Sequence, residues 1–172
     1  IVDSIPPGAF GSNVDDWRAG VGARVFLPVE VPGALFSVGD PHLAQGDGEV
    51  SGTAIEMSMT GTFRLHLRKR RDLPAHLAGL SGPLIDTGEA WVLHGFSYQD
   101  YLRDLGRNAQ GEVYRRATLD LAMRSAFWAA RNFVMEIAGI PEDEAVSLLS
   151  CGVDFGVTQV VDGNLGVHAI IR

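Results

Sequence analysis

The sequence predicts an α+β protein, a strand-rich, sandwich-like part followed by a helix pair and a closing β-hairpin, and three patterns carry that expectation. Across residues 55–68, Ile55, Met57, Met59, Phe63, Leu65 and Leu67 alternate with Glu56, Ser58, Thr60, Thr62, Arg64, His66 and Arg68, the period of a strand with one buried and one wet face. Across residues 113–138, Leu119, Ala122, Ala126, Ala130, Phe133 and Ile137 recur at three- and four-residue steps, which lays an apolar stripe along one helix face. Near the end, β-branched runs at 157–161 and 167–171 flank Asp162-Gly163-Asn164, and Asp-Gly between such runs signals a hairpin turn. Strands, then helices, then strands indicate an α+β arrangement. Residues 1–96 form its β-rich part and 97–172 its α+β part.

Taken in order, Ile5-Pro6-Pro7-Gly8 reads as an extended connection, because a residue before proline is pushed away from the helical region. That opening and the first residue, Ile1, predict that something precedes this stretch in the parent gene product. Val25-Phe26-Leu27 and Ala34-Leu35-Phe36 are expected as short strands, with Pro28, Pro32 and Gly33 as turn or bulge between them. Residues 39–52 form a loop. The cations Arg68-Lys69-Arg70-Arg71 suit a solvated strand end or a subunit contact. Residues 90–94 make another strand, and 98–105 a short helix capped by Ser97 and ended by Gly106. The long helix at 113–138 ends at Gly139, and Pro141 begins a further helix to about Ser150, whose first turn gains from Glu142, Asp143 and Glu144.

Composition narrows the function. The 172 residues are 46% hydrophobic and 20% charged, enough for a real core and far from the signature of disorder. A net charge of −7 disfavours nucleic acid and anionic membrane surfaces, because neither would gain counterion release or attraction. No apolar run reaches the ~20 residues that span a bilayer. A lone cysteine, Cys151, excludes an internal disulfide, so the cytoplasm is the expected compartment. At the end of a helix, without an adjacent histidine or asparagine, it is expected as a small buried hydrophobe and not a nucleophile.

The chemistry concentrates at residues 39–49. Asp40, His42, Asp47 and Glu49 combine one imidazole with carboxylates, types that suit a divalent cation such as zinc. Gly39, Gly46 and Gly48 permit the close backbone approach that convergence needs. Composition alone favours Asp40 and Asp47 as Asx-turn residues of a surface loop, because turns so commonly use Asp and Gly.

The ordered run Val31-Pro32-Gly33-Ala34-Leu35-Phe36-Ser37-Val38-Gly39-Asp40-Pro41-His42, followed by Gln45-Gly46-Asp47-Gly48-Glu49-Val50-Ser51-Gly52-Thr53-Ala54-Ile55-Glu56, resembles the signature of the acetamidase/formamidase family. Gly11-Ser12-Asn13-Val14-Asp15 resembles the family's Gly-Gly-Asn-x-Asp element, with Ser12 where the family usually has glycine, and residues 154–161 resemble its C-terminal strand. The resemblance spans almost the whole chain and implies its C-terminal half. It further implies hydrolysis of a small carboxamide to carboxylate and ammonia at a divalent metal, most simply zinc. Under it, Asp40, His42, Asp15 and Asp47 are metal ligands, Glu49 and then Glu56 the proton-handling carboxylates, and Asn13 and Gln45 substrate-positioning groups. The family's N-terminal half, separate or cleaved, becomes an expected partner, alongside homo- or hetero-oligomers. The competing expectation is a non-catalytic, metal-stabilised β-sandwich subunit supporting oligomer assembly.

Overall fold

In the computed structural model, which describes residues 2–172, strands β1 (Arg24–Phe26), β4 (Leu84–Asp86), β5 (Trp91–Phe96), β7 (Gly166–Ile171) and β6 (Val153–Gln159) lie in that order in one sheet, paired antiparallel throughout. β2 (His42–Ala44) and β3 (Ile55–Glu56) form a separate two-stranded ribbon. The helices are α1 (Ala75–Ala78), α2 (Tyr101–Asp104), α3 (Ala109–Arg116), α4 (Leu119–Ala138) and α5 (Glu142–Gly152). With 31% helix and 19% strand in antiparallel pairing, this is the expected α+β class. The residue-96 boundary falls at the end of β5, inside the sheet, which draws strands from both sides of it.

One sheet face is covered by helices and the other by loops. On the first, Ala122, Ala126, Ala130 and Phe133 of the expected α4 stripe are buried against β5, β6 and β7, with Ala145 and Leu149 of α5 beside them. Gly95 is what lets α4 come so close, since a Cβ there would lie 2.0 Å from the Ala126 amide nitrogen. The layer facing the sheet on this side is therefore helical. On the opposite face His94 and His168, cross-strand neighbours of β5 and β7, are buried under the segment around Asp16.

Helix boundaries differ in two places. The predicted 113–138 helix is broken into α3 and α4 because Thr118 is extended (φ −143°, ψ 151°) and its hydroxyl accepts the Leu121 amide, capping a new helix. The short helix α2 is capped by Asp100, which accepts the Arg103 amide. Ser97 instead donates to the Thr118 carbonyl and accepts the Thr118 amide, fixing the break. At the other end of α4, Gly139 takes the expected left-handed cap, φ 65°. Cys151 is exposed rather than buried.

The larger corrections lie in residues 34–36 and 55–68. Ala34 and Leu35 adopt left-handed φ values of 59° and 53°, so the expected second strand is a turn. Of the 55–68 strand only Ile55–Glu56 is paired, and both the apolar and polar sets of side chains from Met57 onward are exposed. Alternation sets which face a strand buries, but the buried face needs a second layer. None of the described residues provides one. The closing strands pair antiparallel as predicted, with β6 spanning Val153–Gln159 rather than 157–161, and at their turn Gly163 has φ 74° and the Asn164 amide donates to the Asp162 carbonyl.

Candidate functional site

Residues 11–16, 45–49 and 160–164 meet at the far end of β6. Gly48 makes a parallel bridge to Gln159: its amide donates to the Thr158 carbonyl (2.9 Å), and its carbonyl accepts the Val160 amide (3.2 Å). Gln45 donates to the Asp15 carbonyl at 2.7 Å, joining the first two segments. Buried Gln159 shapes the third, accepting the Val161 and Asp162 amides at Oε1 and donating to the Asn164 carbonyl. Asp15, Asp40 and Glu49 all have left-handed φ (50°, 59° and 39°), a conformation that costs a non-glycine residue and persists where the surroundings impose it. Ser12 shares that region at 69°, which explains why glycine suits its position.

The stitching brings carboxyl oxygens of Asp15, Glu49 and Asp162 within 4.8 Å of one another. His42 extends the cluster, its Nε2 lying 3.4 Å from Glu49 Oε1 and 3.7 Å from Asp40 Oδ1. Asp40, His42 and Glu56 form a second, more exposed trio around the same imidazole. Asn13 reaches the cluster at its outer reach, Nδ2 to Asp162 Oδ1 at 3.5 Å. Burial, and then the neighbouring Asp162 and Glu49 carboxylates, push the Asp15 carboxyl up to about 10. Burial likewise raises Glu49, with Asp162 and Asp40 adding to it and Asp15 and His42 opposing. Two buried atoms here, His42 Nε2 and Asp162 Oδ2, have no hydrogen-bond partner. Buried polar atoms are normally satisfied, so the donor set fits a divalent cation: oxygens and one imidazole nitrogen, close together, with two lacking a partner.

Of the sequence-predicted residues, Asp15, His42, Glu49, Asp40 and Glu56 are gathered, with Asn13 and Gln45 at their edge. Asp47 is turned elsewhere. Its carboxylate takes both Arg18 guanidinium nitrogens (2.9 and 2.8 Å) and Trp17 Nε1 (2.9 Å), and these interactions hold it below the ordinary carboxylate value against the opposing effect of burial. Asp162 was missed as a site residue. Its Asp-Gly context announces a turn, and nothing local in the sequence indicates that the turn lies beside Glu49.

A second polar group underlies the first. Asp16 accepts from His94 Nε2 at 2.9 Å and from the Arg18 amide and guanidinium at 2.9 and 3.0 Å. Burial works against its ionisation, but His94 and Arg18 outweigh it and keep the carboxyl well below its usual range. His168 bonds the Thr158 hydroxyl at 3.0 Å and is lowered chiefly by burial. These groups anchor the Asp15 and Glu49 segments to the sheet face.

The fold and site thus describe an α+β scaffold that presents a buried carboxylate–imidazole cluster at one sheet end. A sequence profile of the Acetamidase/Formamidase family matches residues 2–170, and the chain belongs to that family. It is 29% identical over 163 residues to a formamidase of Methylophilus methylotrophus, covering 92% of this chain and 38% of that protein. It is 31% identical over 121 residues to an acetamidase of Mycolicibacterium smegmatis, covering 70% of this chain and 28% of that protein. The crystal structure of an acetamidase from Yersinia enterocolitica superposes with a TM-score of 0.70 at 24% identity, over 99% of this chain and 44% of that one. The chain therefore spans less than half the length of these relatives. Among the described residues, no helix is long and apolar enough to cross a membrane.

Proposed function

We propose that this chain supplies the site of a metal-dependent hydrolase of small linear carboxamides, of the formamide or acetamide kind, completed by the part of the family fold it does not span. The observation that carries the reading is the convergence of Asp15, Glu49 and Asp162 beside a buried His42 Nε2 that has no hydrogen-bond partner. Asp15, Asp162 and His42 would hold the cation, zinc being the simplest choice, with Asp40 and Glu56 on its exposed side. When bound, such an ion supplies positive charge that polarises a carbonyl and acidifies water. Glu49, whose proton affinity is raised by burial, is the proton-handling group. It takes a proton from the water that attacks the amide carbon and gives it to the departing nitrogen, so that C–N cleavage leaves a carboxylate and ammonia. Asn13 and Gln45, at the rim, orient the amide. The lone exposed thiol of Cys151 fits a reducing compartment such as the cytoplasm.

The test is ammonia release from formamide and from acetamide by the completed assembly, with and without added zinc. Zinc-dependent ammonia from either substrate is expected; none above blank from a zinc-loaded, complete assembly overturns the hydrolase reading. The alternative, a non-catalytic metal-stabilised module supporting assembly, is favoured by the exposed 55–68 segment. It predicts a zinc-dependent rise in melting temperature with no turnover.

A further inference from the structure

The 55–68 segment carries a contradiction between pattern and burial. Its period-two alternation is that of a strand with one buried face, yet Met57, Met59, Phe63, Leu65 and Leu67 are each 39–68% exposed. Side chains of that kind at five alternate positions are not a scatter of surface apolar residues, which would need no explanation. The segment does not lie alone. Ala44 pairs with Ile55 and His42 with Glu56, the Met57 amide donates to the Pro41 carbonyl, and the Phe36 and Phe63 rings sit 6.1 Å apart. Residues 36–44 and 55–63 therefore lie side by side, and the ribbon they belong to, 29–44 and 55–68, is exposed along nearly all its length.

The whole-chain area agrees. The described chain exposes 10545 Å², whereas a compact monomer of its mass exposes about 8,200 Å². The difference, about 2,300 Å², is on the scale of permanent assemblies rather than of transient contacts. The Yersinia chain is long enough to supply a cover of that size, since the likeness takes in 44% of it and leaves more than half of that chain outside the shared fold.

We infer that the ribbon of residues 29–44 and 55–68 is the docking surface for the remaining half of the family fold, on the same polypeptide or on another. The occupant presents an apolar face to Met57, Met59, Phe63, Leu65 and Leu67 and carboxylates to the exposed Arg68-Lys69-Arg70-Arg71 run. Because His42 and Glu56 belong to the ribbon's paired end, docking also covers the approach to the cluster and excludes bulk water from it. The inference rests on the reading of this chain as about half of a family fold and is independent of the metal or the reaction.

The experiment recovers the native assembly through a tag on this chain, sequences every polypeptide in it by mass spectrometry, and follows hydrogen exchange of peptides covering 55–68. A polypeptide matching the part of the family fold outside the region shared with this chain is expected, with exchange in 55–68 slowed at least tenfold relative to the isolated 172-residue chain. The double variant Met59→Lys, Leu65→Glu is expected to prevent docking while leaving the melting temperature of the isolated chain unchanged, since both side chains are exposed in it. An assembly in which no polypeptide carries the remaining part of the family fold overturns the inference, as does an unrelated partner in its place, or a matching half with exchange in 55–68 unchanged. None of these readouts uses ammonia, so failure here is distinguishable from failure of the hydrolase reading.

Discussion

Asp15 and Asp16 are adjacent in sequence and opposite in electrostatics. Asp16 turns into the sheet, where His94 and Arg18 meet it, and its carboxyl is held ionised. Asp15 turns outward to two further carboxyl groups, and burial keeps it protonated up to about pH 10. One group is fully answered by its surroundings and holds two segments on a scaffold. The other is left in a state that only a proton or a cation relieves. Paired buried charges mark architecture here, and the unpaired carboxyl belongs to the cluster proposed above to hold a cation.

The sharpest way to break this contrast is Glu49→Gln in the completed assembly, which should lower ammonia release by about 10²–10⁴-fold, the range of a lost general base, without loosening the fold. Unchanged turnover would move proton handling to Glu56. Substituting the answered side should do the reverse. Asp16→Ala leaves His94 buried beside no carboxylate, and removing one member of such a pair costs about 3–5 kcal/mol, read by urea unfolding; both side chains are fully buried. Next in size, Asp162→Asn should weaken zinc binding at least about tenfold, as measured by competition with a chelating dye, with little change in stability. Retained affinity would remove Asp162 from the ligand set.

The pH dependence separates the two aspartates by sign. Asp15 binds its proton more tightly folded than unfolded, so its contribution to the metal-free chain is complete below about pH 4 and fades as pH rises toward about 10. Asp16 binds it less tightly, so its contribution is present above about pH 4 and lost below. Melting temperatures of the metal-free chain should therefore fall from pH 5 to pH 9, and zinc should remove that fall; a flat metal-free profile contradicts it. The smallest effect belongs to Asp47→Asn, about 1 kcal/mol or less, because that carboxylate is 42% exposed despite its two-pronged contact with Arg18.

What the sequence made legible follows the range of the forces involved. The α4 stripe, the Gly139 cap and the 162–164 turn were readable because each is set by neighbours within a few residues. Asp40, His42 and Glu49 were readable because they are crowded into one glycine-rich loop and share a family signature. Asp162 was not, since its role depends on the Gly48–Gln159 bridge, a pairing between distant parts of the chain. The 55–68 strand was misjudged for a related reason: alternation reports that a face is to be buried and is silent on whether the same stretch of chain buries it. Thr118 shows the opposite failure, where a hydroxyl cap interrupts an apolar period that looks continuous.

The bridge from Gly48 to the end of β6 also sets an order of events during synthesis. At about 5–20 residues per second, residues 11–16 and 39–49 leave the ribosome well before β6 and β7 exist to receive them. Until those last strands emerge and pair, Asp162 is absent and Glu49 has no scaffold, so the growing chain has not yet assembled the carboxylate–imidazole cluster. Under the function proposed above, a cation would load only after β6 and β7 have paired, and a lesion that unzips the closing strands should dismantle the cluster.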